Sequence, residues 1–350
     1  MKVEMEYEKD RYIEIDASSR IIYLLGANEE IKWKLYRTMK RFQAGKKLSS
    51  LEENVYGDDG INIICDGQDQ TNKKLDFLFL EQRSDVLEQL TLTKNTMLAE
   101  YLVEMQKDFL LNKQVEKINN LFLETEGILQ EKIKEEFAHL VPRFNYFTID
   151  DLLKKYLLIE YLEKGQQYPV EMMDITYLLD EYCNLIEKKI KSTGQNIWLV
   201  IRNPQSFIKN EVFNKFLCNL TELIKKYSNF YIFILSDSYL NVDFKPQQIE
   251  SVVLIYENIQ QLPRLDILRE SLARRYPEEL TYSDQELIEK LMRIFPYVGI
   301  KNINQVYLNP KDMVLFKVVG MLLYDKEFSF TIRNEINELT PAERCFLGET

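Results

Sequence analysis

With 350 residues, 45% of them hydrophobic, the chain can build one large core or two to three ordinary domains. A net charge of −11 requires any nucleic-acid contact to gather its basic residues on one surface. The single histidine, His139, excludes Ser-His-Asp triads and H-E-x-x-H metalloenzymes, and Cys65, Cys183, Cys218 and Cys345 are spaced too widely for a zinc site or a disulfide framework.

Residues 2–7 and 11–16 alternate polar and apolar around Glu8-Lys9-Asp10, the pattern of a β-hairpin. Residues 21–25, Ile-Ile-Tyr-Leu-Leu, form an unbroken apolar run expected of a strand buried on both faces. Gly26 ends it, Asn28 can cap the next helix, and Glu29 and Glu30 suit its first turn. Strand, glycine turn and helix is the setting of a phosphate-binding loop. Counted from Gly26 along G-x-x-x-x-G-K-[ST], the second glycine falls on Ile31, the lysine on Lys32 and the hydroxyl on Trp33. The first glycine and the lysine are present; the second glycine and the metal-binding hydroxyl are not. The stretch reads either as the frame of a nucleotide-binding fold with a degenerate site or as an ordinary strand-turn-helix with a chance lysine.

The helix from Asn28 to about Phe42 sets Ile31, Leu35, Met39 and Phe42 on one face. Between Ile31 and Lys47 lie Lys32, Lys34, Arg37, Lys40, Arg41, Lys46 and Lys47, with no acidic residue among them. A solvated helix surface normally mixes signs, so this single-sign run is a candidate DNA surface. Turn chemistry at Tyr56-Gly57-Asp58-Asp59-Gly60 precedes strands near residues 61–64 and 75–80, and Asp66-Gly67-Gln68-Asp69 is a loop rather than a calcium-binding EF-hand.

From Ser84 the period is helical for about a hundred residues. Leu87 to Met105 marks one long helix, Ile118 to Phe137 the next, with a kink possible at Glu126-Gly127 and an end by Pro142. Thr148 caps a helix through Leu157, and Pro169 opens another to about Ser192. Long paired helices of this kind make an arm or an oligomer surface more often than an active site. The α/β pattern resumes with a buried strand at residues 197–201, where Arg202-Asn203-Pro204 stands in place of a metal-binding aspartate. A helix over residues 207–227 and strands at 230–235 and 251–256 imply parallel pairing with right-handed crossovers. Beyond Leu262 the chain is helical, with capping boxes at Ser283-Asp284-Gln285-Glu286 and Thr340-Pro341-Ala342-Glu343.

The expected fold is therefore α/β. A P-loop-NTPase-like parallel sheet with a degenerate nucleotide site spans residues 1–83 and 193–261. A long α-helical insertion covers 84–192, and a C-terminal α-helical domain covers 262–350. No long uncharged apolar run occurs, and residues 1–4 open into a charged strand without a secretory leader, so a cytoplasmic protein with no membrane partner is expected.

In the order and spacing of these parts the sequence resembles the Csn-two family (Cas subtype Nmeni, protein two) of type II-A CRISPR–Cas operons, in its large form. The resemblance rests on residues 21–26 with the decayed loop, on the helical insertion, on Thr148-Ile149-Asp150-Asp151-Leu152-Leu153-Lys154, and on residues 197–203. It implies a ring-shaped homotetramer whose positively charged hole takes double-stranded DNA from its ends, with no nucleotide hydrolysis. It further implies a role in spacer acquisition beside the operon's integrase and effector nuclease, and calcium at interdomain contacts. Smaller members carry an acidic stretch where this chain has Phe144-Asn145-Tyr146-Phe147, which leaves Asp150 and Asp151 as calcium-ligand candidates. Both also fit the first turn of a helix. The DNA-contact candidates are Lys32, Lys34, Arg37, Lys40 and Arg41, then Lys154 and Lys155. Two alternatives to a non-catalytic DNA clamp stay open: a P-loop-type phosphotransferase or ATPase, and a scaffold for other proteins.

Overall fold

A computed structural model describes residues 1–57, 60–300, 308–324 and 338–348, so Asp58 and Asp59 of the anticipated turn lie outside the described residues. The chain divides into two compact units, Met1–Gln82 with Thr193–Thr350, and Arg83–Ser192.

The first unit opens with the anticipated hairpin of β1 (Lys2–Glu8) and β2 (Arg11–Asp16), turning at Asp10 with φ 58°. Every residue of β3 (Ile21–Leu25) is buried. α1 (Glu29–Ala44) starts at Asn28, whose side chain accepts from the Ile31 amide, and stops at Gly45 in the left-handed conformation. α2 (Ser50–Tyr56) carries a Ser49–Glu52 capping box. β4 (Ile63–Cys65) and β5 (Gln68–Asp69) complete an antiparallel sheet in the order β2-β1-β4-β5, and β6 (Leu75–Leu80) follows.

In the second unit the long helix anticipated over residues 87–105 is two helices, α3 (Arg83–Gln89) and α4 (Met97–Glu104). Thr96 caps α4 after Asn95 with φ 71°, and the Thr96 hydroxyl donates to the Thr91 and Thr93 carbonyls; this local bonding replaces a helical turn. α5 (Phe109–Glu136) runs through Gly127 without interruption. Asn119 holds the later extended segment by a reciprocal pair of 2.8 Å bonds with the Phe147 backbone. α6 (Ile149–Asp151), capped by Thr148, continues into a wider turn over Leu152–Tyr156. The insertion is not all helical: β7 (Glu160–Glu163) and β8 (Gln166–Pro169) form a hairpin. Its turn residues Lys164 and Gly165 both have positive φ, the turn that matches strand twist. α7 (Ile175–Ser192) closes the unit with an apolar face of Leu178, Tyr182, Leu185 and Ile186.

Back in the first unit come β9 (Asn196–Arg202), α8 (Asn210–Lys226), β10 (Phe230–Leu235), β11 (Val252–Ile255) and β12 (Ile259–Gln261). They join the early strands in a six-stranded sheet, β12-β11-β3-β10-β9-β6. β11, β3, β10, β9 and β6 are parallel, and β12 is the antiparallel edge. The apolar runs of β3, β9 and β10 read as continuous because both faces are covered. On one face α1 places Leu35, Tyr36, Met39 and Phe42 in a core with Trp198, Phe77, Phe233 and the hairpin's Val3, Met5, Ile13 and Ile15.

α9 (Leu265–Ala273), α10 (Asp284–Ile294), α11 (Pro310–Tyr324) and α12 (Pro341–Leu347) follow, and both anticipated capping boxes form. This segment, expected as a domain of its own, groups with the sheet in the first unit. Two buried carboxylates tie it together. Asp312 accepts from Lys290, Arg293 and Asn309 at 2.9 Å each, and Glu343 accepts from Tyr276 and Lys311 at 2.6 Å.

Candidate functional site

Ligands of parallel α/β sheets sit outside the carboxyl ends of the strands. Here the protein fills that place itself. Gly26 follows β3 with φ +110°, and a Cβ there would lie 2.9 Å from the Ile255 carbonyl carbon, so the end of β11 rests directly on the loop. The next amides are taken: Ala27 N–H donates to the Val298 carbonyl at 2.8 Å and Asn28 N–H to the Ile255 carbonyl at 3.2 Å. The Asn28 side-chain amide donates to the Tyr256 carbonyl at 2.7 Å. These are the donors that would cradle a phosphate.

Lys32 is also spent. It is 2% exposed, with its Nζ 2.5 Å from Asp237 and 2.8 Å from the Ser236 carbonyl. Asn203, in the left-handed conformation, donates to the second Asp237 oxygen at 2.7 Å, and the Asp237 amide returns a bond to Asn203. Burial pulls the Lys32 ammonium below the usual lysine range. Burial also opposes the charge on Asp237, but the Lys32 ammonium, Asn203 and Arg202 outweigh it and hold this carboxyl below the usual range. The result is a closed, charge-compensated pair. Lys32 therefore leaves the set of DNA-contact candidates, because no phosphate can reach a side chain paired beneath the surface.

The other candidates on α1 divide. Lys34 is half-buried between Glu8 at 3.1 Å and Glu30 at 2.8 Å. Arg37 donates to the Tyr56 hydroxyl and stacks on its ring at 5.5 Å. Arg41 binds Glu52 at 2.5 Å and the Lys47 carbonyl at 2.7 Å. Lys40 is exposed over the Tyr36 ring at 4.7 Å, with Glu81 at 3.7 Å. The run from Lys32 to Lys47 carries one sign in sequence because most of its counter-charges arrive from elsewhere, from β1, from α2 and from the residue after β6, with Glu30 in the first turn of α1 adding one from the helix itself. In the second unit Lys154 and Lys155 are exposed and each meets a carboxylate one turn back, Asp150 and Asp151, at 2.7 Å. Exposed pairs of this kind are worth under about 1 kcal/mol and exchange readily for another anion. Lys46, Lys47, Lys73 and Lys74, outside the candidate set, are exposed and have no ion pair among the described residues. Lys46 and Lys47 line a polar cleft of about 520 Å³ with Gly45, Gln70, Thr71 and Asn72. Their signal in the sequence was two Lys-Lys dipeptides on either side of one hairpin.

The model of the family described as CRISPR-associated protein Csn2 subfamily St matches residues 3–343. The chain belongs to the Csn2 family. The crystal structure of Stu0660 of Streptococcus thermophilus is similar, with 20% identity, 99% of this chain and 98% of that chain covered, and a TM-score of 0.81, which establishes a shared fold. No curated protein matches the sequence.

For a Csn2 chain the calcium question falls on Asp150 and Asp151, and their surroundings do not fit the ion. Calcium takes six to eight oxygens. Asp150 meets Lys154 and the Gln106 amide at 3.2 Å, while Asp151 meets Lys155 and the Thr148 amide and hydroxyl in a capping box, so both are surrounded mostly by donors rather than by further oxygen ligands. Lys155 and Thr148 hold the Asp151 carboxyl down to about 2. No group of three or more His, Cys, Asp or Glu side chains able to hold a metal occurs among the described residues. Asp150→Asn is expected to leave the oligomer, sized by light scattering in millimolar calcium and in chelator, unchanged; dissociation of the variant alone would restore Asp150 as a ligand.

Proposed function

We propose that this Csn2 chain is a non-catalytic, sequence-independent clamp on double-stranded DNA, acting in CRISPR spacer acquisition as a ring-shaped homotetramer. The observation that carries the reading is the self-filled strand-end site: the Gly26 loop amides bind Val298 and Ile255, and Lys32 binds Asp237. A parallel sheet with this loop is what a P-loop-like core with a decayed nucleotide site would look like. The alternative, a phosphotransferase or ATPase, lacks a free lysine and free loop amides in this arrangement. Exposed lysines that carry no strong internal partner suit phosphate contacts indifferent to sequence. Entry from DNA ends, and the operon's integrase and effector nuclease as cytoplasmic partners, belong to the same proposal. Among the described residues no helix is long and apolar enough to cross a membrane.

Assembly is supported by the second unit. Leu121, Leu123, Ile128, Leu140, Val141 and Tyr146 are all more than half exposed along α5 and the segment after it. Apolar exposure in this number supports contact with another protein. The expected result is a tetramer by light scattering at micromolar concentration that retains unrelated linear duplexes equally, with no ATP turnover. A monomer, or turnover abolished in Lys32→Ala, would overturn it.

A further inference from the structure

The first unit carries an aromatic and cationic patch of which the clamp reading uses only Lys40. At the carboxyl end of β9 the Arg202 guanidinium lies 5.0 Å from the Trp33 ring centre and 5.2 Å from that of Tyr36. Glu81 fixes Arg202 by an ion pair and accepts from the Tyr36 hydroxyl at 3.0 Å. Lys40 covers Tyr36 at 4.7 Å and Phe79 at 5.6 Å. Tyr36 is buried, but Trp33 is 47% exposed. The Arg202 guanidinium, itself fixed by Glu81, thus lies over the indole ring, which still leaves much of its surface to solvent. Trp198, the other tryptophan, is 0% exposed in the core.

A rigid, exposed indole beside a guanidinium is a stacking platform, since both present flat faces to another π system. Glu81 offsets much of the positive charge, so the patch suits a base better than a phosphate. Within a duplex each internal base already has neighbours on both faces, and a terminal pair exposes only its outer face along the helix axis. An unpaired base at a strand end can turn a free face to the side at little cost. We infer that Trp33, backed by Arg202, is a stacking site for an unpaired nucleobase at the end of a DNA duplex. This rests on the DNA-binding reading and adds to it a preference for ends that carry single-stranded extensions.

The test compares two linear duplexes of equal length, one blunt and one with a three-nucleotide single-stranded extension. The wild-type protein is expected to bind the extended duplex about 5- to 100-fold more tightly, and only that duplex should quench tryptophan emission. Trp33→Ala should bind both duplexes with the blunt-end affinity, and Trp33→Phe should keep part of the preference. Equal affinities in the wild type, or a Trp33→Ala variant that keeps the preference, would overturn the platform while leaving the clamp intact. If Trp33→Ala instead changes the oligomeric state, the indole covers a second copy and the inference fails. Binding of neither duplex at low salt overturns the DNA reading and the platform with it.

Discussion

Affinity for linear duplex DNA is expected to fall by about three to five orders of magnitude between about 50 and 200 mM salt, the loss typical of six to ten neutralised phosphates. Each lysine on a phosphate releases condensed counterions, and that release weakens as bulk salt rises. Exposure and internal pairing decide which lysines contribute. Lys46, Lys47, Lys73 and Lys74 carry no ion pair among the described residues. Lys154 and Lys155 are exposed and hold only half-buried carboxylates that a phosphate can replace, whereas the Glu81 partner of Lys40 is also held by Tyr36 and Arg202. Reversal of Lys46 and Lys47 to Glu should weaken binding to every sequence alike and reduce the salt slope by about 0.9 for each phosphate that is no longer neutralised. Reversal of Lys34 or Arg41 is a different experiment, because it sets a carboxylate against Glu8 or Glu52 and should lower stability first. A Lys46→Glu, Lys47→Glu, Lys73→Glu, Lys74→Glu protein that folds, assembles and binds duplex with an unchanged slope would show that the DNA surface lies elsewhere.

Gly26→Ala is expected to destabilise the protein by about 3 kcal/mol or more, from a backbone conformation closed to L side chains together with a steric clash. The new Cβ would press on the Ile255 backbone, which cannot swing aside because β11 is paired with β3 and β12. Gly45→Ala is the control. Gly45 also has positive φ, but its Cβ meets the end of the Asn72 side chain, with Cγ at 3.2 Å, and that side chain can rotate away. Its cost should stay near about 1–2 kcal/mol. Urea midpoints at constant m-value make the comparison. Equal midpoints for Gly26→Ala and the wild type would mean that β11 does not rest on the loop.

The framework of the fold was legible because its signals are local. The apolar runs at 21–25, 197–201 and 230–235 and the amphipathic period of α1, α7 and α8 can be read from neighbouring residues. Asn28, Ser283 and Thr340 cap helices through bonds to residues three positions on, so they too were visible. The β7–β8 hairpin was local as well. It was hidden because its turn is Lys164-Gly165 rather than a stronger turn pair, and its short strands sit among helical periods. The order of these elements, more than any one motif, carried the resemblance to Csn2 that the family match across residues 3–343 then established.

By itself, then, the sequence determined the parallel strands β3, β6, β9, β10 and β11 and the helices α1, α7 and α8, that the Gly26 loop lacks the residues of a working phosphate site, and that a basic run lies on α1. Only the tertiary structure decided what each charge does. Lys32, Lys34 and Arg41 are close in sequence, yet one is buried on Asp237 from the end of β10, one is shared by Glu30 and Glu8 of β1, and one is clamped by Glu52 of α2. Coulomb energy depends on distance in space and on the dielectric around the pair, and neither follows from separation along the chain. That is why a run of cations that reads as one surface became a set of internal ties.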